Sequence, residues 1–268
     1  LGDYYRIDAA DLTDSKVYVS GSFSTAEEIA VFQASSSDAV ENIKKAIDTR
    51  LEDLKLAFEN YVPGEMTKIK ICGLYRPCDI QFVNDARPDW CGFIIDFPKS
   101  HRNVSPHEAR SLRTCLAPGI IPVGVFVDQP VEQVCALLND GTISIAQLHG
   151  HEDAAYIAAL RASSPGHAVW KAFKIRSLDD LDAANASSAD LVLLDNGYGT
   201  GRTFDWSLAG GVNRPFLLAG GLTPDNIPEA VAALHPYGVD ISSGVETGGQ
   251  KDRGKILAAV SAARRNET

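Results

Sequence analysis

From residue 68 onward the chain alternates short apolar runs with stretches whose apolar positions recur every three or four residues. The runs are "KIKICGL", "CGFIIDF", "IIPVGVFV", "ISIAQLHG", "AVWKAFKI", "LVLLDNG", "PFLLAGG" and "GVDISSG". Between them lie helical patterns such as "PHEARSLRTCL", "PVEQVCALLND", "HEDAAYIAALRA" and "PDNIPEAVAALH". Runs that are apolar at successive positions read as strands buried on both faces, and their alternation with helices calls for a parallel sheet. Eight such units in about 200 residues predict an α/β fold of the (β/α)8 TIM barrel type, near the small end of its size range. A doubly wound open sheet is the alternative. It would carry a G-x-G-x-x-G turn after its first strand if it held a dinucleotide, and "CGLYRPCD" is not one, so the barrel is preferred.

The pattern upstream is different. "KVYVSGSF" and "EIAVFQAS" read as two short strands, followed by a helix that begins at "SSSDAVEN". Asp38 and Glu41 fit a capping box there, and Ile43, Ile47, Leu51, Leu54 and Phe58 recur at helical spacing. Pro63 and Gly64, just before the single Met66, supply a turn. The chain therefore divides into a small β-β-α appendage over residues 1–65 and a barrel over residues 66–268. An appendage of this size is thin for independent stability and is expected to pack on the larger part or on a partner.

Charge sharpens the division. Of the 268 residues, the first 65 hold 13 acidic and 6 basic side chains, net −7, which leaves −3 for the rest of a chain whose total is −10. Such a balance argues against a nucleic-acid surface, which needs clustered Lys and Arg. Small anionic substrates remain compatible, since they require only local donors. No apolar run approaches the roughly 20 residues of a membrane helix, and the first residues lack a signal-peptide pattern. A soluble, cytoplasmic protein without membrane contact is expected. The five cysteines, at 72, 78, 91, 115 and 135, form no C-x-x-C pair and have no zinc-site spacing, so reduced thiols and no metal site are expected.

In a barrel, residues at the C-terminal strand ends face the active site. Cys72 ends the first barrel strand and Asp195 the sixth, so a thiol and a carboxyl flank one substrate, the arrangement of a general base opposite a general acid. A lone cysteine also packs as a small hydrophobe, and an aspartate at a strand end also caps a loop, so these residues alone leave both readings open. The seventh and eighth strands end in "AGG" and "SSG". Glycines there allow close backbone approach, and the loops after these strands are the common phosphate site of barrels. Gly220, Gly221, Ser243 and Gly244 therefore read as a cradle for a phosphorylated small molecule. The loop "DFPKSHRNVSP" adds Lys99, His101 and Arg102, and a guanidinium over the mouth suits a substrate carboxylate.

Together "KIKICGL", "FPKSHRNVSP", "VGVFVDQ", "QLHGHED", "LLDNGYGTGRTFDW", "LAGGLTPDNI" and "GVDISSGVE" resemble the phosphoribosylanthranilate isomerase family of tryptophan biosynthesis, from Met66 to near the last residue. The resemblance implies an Amadori rearrangement of N-(5-phosphoribosyl)anthranilate with no cofactor and no metal. By it, Asp195 is the general acid that opens the furanose and Cys72 the general base that removes the C2 proton. Arg102 matches the arginine that holds the anthranilate carboxylate, and the glycine loops match the phosphate site. Gln147, His149 and Asp240 fall in family motifs as secondary substrate contacts, with His149 equally readable as a rim histidine. This chemistry wants the Asp195 pKa raised and the Cys72 pKa lowered, with Lys70 on the same strand face as a candidate cation. Tyr75, Tyr198 and Arg202 depart from the usual motif residues near the mouth. Residues 1–65, through "YYRIDAADL", "STAEEIAVFQA" and "RLEDLKLAFENYVPGE", resemble a bacterial domain-of-unknown-function family found in small membrane-anchored lipoproteins, without a lipid-attachment cysteine.

Other readings differ at identifiable residues. A histidine-pathway isomerase resembles this barrel but uses a pair of aspartates, and Cys72 argues against it. A pentose-phosphate epimerase needs a His/Asp metal set at its strand ends, which this chain lacks. From a different class, a catalytically silent phosphate-binding barrel recruited through the N-terminal module remains an alternative, against which the Cys72 and Asp195 pair stands. Either a monomer or a homodimer is compatible with the sequence.

Overall fold

The computed structural model describes residues 7, 9–19, 28–59, 67–195 and 211–264. Residues 1–64 and 65–268 form two compact units.

In the first unit β1 (Leu12–Val19) pairs antiparallel with β2 (Glu28–Ala34), and α1 (Ser37–Glu59) follows. Ile7 and Ile43 are buried, with Leu12, Phe32, Ala34 and Ile47 packed against them. β1 begins four residues before its apolar run, because the polar stretch Leu12–Ser15 pairs through its backbone, with a bulge between Leu12 and Asp14. The helix cap also differs from the expectation. Ser36 Oγ accepts the Ala39 N–H at 3.1 Å, whereas Asp38 lies inside the first turn and Glu41 pairs with Lys44 at 2.9 Å.

The second unit is a closed barrel of eight parallel strands. They are β3 (Lys68–Cys72), β4 (Trp90–Ile95), β6 (Ile121–Phe126), β7 (Ile145–Leu148), β8 (Ala168–Lys174), β9 (Leu191–Asp195), β10 (Phe216–Ala219) and β11 (Gly238–Ile241). Each pairs with the next in chain order, and β3 closes the ring by pairing with both β4 and β11. Between strands lie α2 (Pro77–Ala86), α3 (Pro106–Thr114), α4 (Val131–Asn139), α5 (Ala154–Ser163), α6 (Leu178–Asn185) and α7 (Ile227–Leu234), with α8 (Arg253–Ala263) after β11. All eight apolar runs became these strands. Two small elements carry no apolar signal: β5 (Asn103–Val104), laid against the end of β4, and a hairpin of β12 (Glu246–Thr247) and β13 (Gln250–Lys251).

Alternation along the strands sorts the core. Outward residues such as Ile69, Ile71, Phe93, Val192, Leu194, Val239 and Ile241 join the helices in one large cluster. Inward residues Trp90, Val123, Ile145, Trp170, Leu191, Leu193, Leu217 and Ala219 fill the barrel, where Trp90 and Trp170 meet edge to face with ring centroids 5.2 Å apart. Toward the C-terminal ends the inward positions change character, first at Lys70 and Asp240, which are in register with each other and Lys70 with Trp90, and then at Cys72, Gly92, Gln147 and Asp195. No helix among the described residues is long and apolar enough to cross a membrane.

Barrel strands, the helices between them and the loops that follow supply the described residues of both barrel clusters, so the second unit carries a core of its own. A chain beginning at Glu65 is therefore expected to unfold in one cooperative transition, with a midpoint within a few degrees of the same transition in the full chain, as calorimetry would record.

Candidate active site

A cavity of about 510 Å³ opens at the C-terminal end of the strands. Its wall includes Cys72, Arg102, His149, Asp195, Asp240 and Ser243, with Gly220 and Gly221, over an apolar floor of Ile94, Val125 and Ala219. Residues from six separate loops and strand ends thus converge on one space, as the barrel topology requires.

Beneath Cys72 lies Lys70, with no exposed surface. Its ammonium donates to Asp240 Oδ2 at 2.8 Å, across a register pair of β3 and β11. A buried cation needs such a partner, since burial alone would neutralise it. Burial pushes the Lys70 pKa down, but Asp240 and the Cys72 sulfur outweigh it and the net shift is upward. The other Asp240 oxygen, Oδ1, is buried without a hydrogen-bond partner among the described residues. Gly92 stands opposite Cys72 on β4, where a Cβ would lie 2.9 Å from the Cys72 sulfur and 3.1 Å from Lys70 Nζ. A glycine inside a strand marks this kind of close approach, and the signal was present in "CGFIIDF".

The Cys72 thiol departs from the sequence expectation. Its pKa is raised rather than lowered, because burial at 8% exposure outweighs the stabilisation that Lys70 and, more weakly, Lys251 give the thiolate. Lys70 is indeed the cation beside it, but that cation is shared with Asp240.

Across the mouth, His149 Nε2 lies 3.4 Å from Asp195 Oδ2. Gln147 does not line the cavity. It is 1% exposed and sits behind His149, with its Nε2 3.4 Å from His149 Nδ1. The loop that carries His149 is gripped from below: Glu152 accepts from the Asp128 and Gly150 N–H groups at 2.8 and 2.9 Å and from Lys171 at 2.8 Å.

On the phosphate-loop side, Gly220 and Gly221 take φ of 87° and 69°, a region that glycine enters without strain. Asn226 ties their loop by accepting from the Thr223 N–H and donating to the Gly221 carbonyl. Gly244 is behind the wall: a Cβ there would lie 1.8 Å from the Leu222 carbonyl oxygen, so its bare backbone lets the two loops touch. Arg102 reaches the mouth because β5 pins the loop after β4. Its guanidinium is held by Glu246 through Nε at 2.6 Å and Nη2 at 2.7 Å. Glu246, Lys251 and Ser242 were not singled out from the sequence. Their readable trace was the two-glycine turn in "ETGGQK", which pairs Glu246 with Lys251. Tyr75 packs edge-on to His101 near this loop, while Tyr198 and Arg202 lie outside the described residues.

Comparison with known proteins fits this site. The family profile for N-(5′-phosphoribosyl)anthranilate (PRA) isomerase matches residues 69–262, and a domain of unknown function, DUF4358, matches residues 1–76. The N-(5′-phosphoribosyl)anthranilate isomerase of Endomicrobium trichonymphae is 45% identical over 202 residues, 73% of this chain and 97% of that protein. A solved phosphoribosyl anthranilate isomerase in complex with reduced 1-(o-carboxyphenylamino)-1-deoxyribulose 5-phosphate is 32% identical, with a TM-score of 0.64 over 74% of this chain and 98% of that one. Monomers made from the dimeric enzyme of Thermotoga maritima match with a TM-score of 0.64 at 33% identity, over 74% of this chain and 98% of theirs.

Two outcomes follow from the electrostatics of the site. Lys70→Met leaves Asp240 buried without its cation and is expected to cost about 3–5 kcal/mol in denaturant unfolding, most of it recovered in the double variant with Asp240→Asn. Because only the thiolate reacts and burial favours the thiol, alkylation of Cys72 by iodoacetamide, followed by mass spectrometry of its peptide, should rise with pH to a midpoint above that of a free cysteine in a short peptide.

Proposed function

The chain belongs to the N-(5′-phosphoribosyl)anthranilate isomerase family, and we propose that Cys72 and Asp195 are the base and acid of its isomerisation. The enzyme converts N-(5′-phosphoribosyl)anthranilate to 1-(2-carboxyphenylamino)-1-deoxyribulose 5-phosphate in tryptophan biosynthesis. The observation that carries the assignment of roles is the opposition of a thiol and a carboxyl across one cavity, at the ends of β3 and β9.

Asp195, as the acid, gives its proton to the ring oxygen, the C1–O bond breaks, and the anilino nitrogen's lone pair forms the Schiff base. Cys72, as thiolate, then takes the proton from C2, and the C2–H electrons move to neutralise the iminium and form the enolamine. Tautomerisation to the ketone completes the step. Protons move and no electrons leave the substrate, so the chemistry calls for no redox cofactor. Lys70 stabilises the thiolate during the transfer, which offsets part of the desolvation that holds the resting thiol protonated.

Arg102 takes the anthranilate carboxylate in this reading, and Gly220, Gly221 and Ser243 take the phosphate through backbone N–H groups, with Gly244 setting the spacing of that loop. His149 holds Asp195, and Gln147 holds His149. Asp240 serves Lys70 and offers Oδ1 to a substrate hydroxyl. The residues given roles here all lie in the second unit, so we assign residues 1–64 no catalytic role. We place the enzyme in the cytoplasm, working on a small phosphorylated substrate as a monomer or a homodimer; a relative bound to a phosphorylated compound and a dimeric relative that yields monomers support the substrate class and the two assembly states.

Loss of substrate fluorescence measures turnover directly. Cys72→Ala and Asp195→Asn are each expected to lower kcat by about 10²–10⁴-fold, with KM changed far less. Turnover within a few-fold of the unaltered chain in either variant would remove that residue from its role.

A further inference from the structure

Arg102 is not simply a guanidinium pointing into the cavity. Glu246 occupies its Nε and Nη2 donors at 2.6 and 2.7 Å, a bidentate grip that leaves the Nη1/Nη2 edge for whatever enters the mouth. The Glu246 carboxylate is nearly buried, with 5% of its side chain exposed, and Lys251 Nζ lies 2.7 Å from its Oε1 with no exposed side-chain surface. Lys251 also donates to the Ser242 carbonyl at 2.9 Å, and Ser242 Oγ donates to the Cys72 carbonyl at 3.1 Å. The arginine's stem lies across Gly73, where a Cβ would come within 2.5 Å of Arg102 Cδ. Everything around this side chain fixes one orientation of it.

The charges are as informative as the distances. Glu246 alone would cancel Arg102 and leave the mouth with little pull on an anion. With Lys251 joined to the same carboxylate, the triad carries a net +1. We propose that Glu246 and Lys251, paired across the β12–β13 hairpin, are positioning residues for Arg102, Glu246 aiming its Nη1/Nη2 edge at the cavity and Lys251 keeping the triad net positive, and so select a substrate bearing a planar carboxylate. The inference rests on the reading of Arg102 as the carboxylate holder, and it adds to that reading the groups that make the arginine selective.

The test uses the full chain and two competitive inhibitors: reduced 1-(o-carboxyphenylamino)-1-deoxyribulose 5-phosphate and its counterpart whose phenyl ring lacks the carboxyl group. In the unaltered protein the carboxyl-bearing inhibitor binds more tightly. Glu246→Gln removes the carboxylate that aims Arg102 while raising the triad's charge to +2, and it is expected to shrink that advantage by about ten-fold, the scale of a charged hydrogen bond, because the lost aim costs more than the added charge returns. The carboxyl-free inhibitor should bind as before, and KM should rise more than kcat falls. Lys251→Met, which keeps the stem and removes the charge, should act in the same direction and serves if Glu246→Gln does not fold. An undiminished advantage in these variants overturns the proposal, as does equal weakening of both inhibitors, which marks the hairpin as mere scaffold. If the unaltered protein itself shows no preference for the carboxyl group, the reading of Arg102 falls first and takes this inference with it.

Discussion

One buried ammonium governs the mouth of this barrel. Lys70 has no exposed surface, and a charge there persists because Asp240, in register on β11, and the Cys72 sulfur sit beside it. Cys72, one pleat further along β3, inherits that environment. Burial holds its proton on, while the adjacent cation lowers the cost of losing it. A thiol under these opposed influences gives up its proton only against a fixed positive charge.

Space at the mouth is set by missing side chains as much as by present ones. Gly92 leaves the room that the thiol and the ammonium share, and Gly73 leaves the path that the Arg102 stem follows. Gly244 lets the last two loops meet backbone to backbone. These contacts tie loops after the first, second, seventh and eighth barrel strands into one rim. In a protein of net charge −10, this rim is locally different, because Arg102 and Lys251 outnumber the Glu246 carboxylate they share.

Much was legible in the residues themselves. Eight apolar runs of strand length, separated by helical periodicities, are sufficient for a closed parallel barrel, because strands buried on both faces announce themselves without alternation. A barrel then makes strand ends informative, which is how Cys72, Asp195, Gly220 and Ser243 could be named in advance. Polar strands lack that signal, so the start of β1 and the whole of β5 and the β12–β13 hairpin were invisible to it. The helix cap went to Ser36 over Asp38 for a local reason: only the residue outside the first turn can receive an N–H from inside it.

By itself, then, the sequence determined the fold class, the break between two unlike segments and the residues placed around one mouth, all consequences of periodicity and strand order. Tertiary structure alone decided what surrounds each of them. That Lys70 belongs to Asp240, that Gln147 stands behind His149, that Arg102 is gripped by a glutamate 144 positions away and that the thiol's pKa goes up are facts of long-range juxtaposition and burial. A side chain's pKa and its partner depend on the dielectric and the charges around it, and those are assembled only when distant strands close the ring.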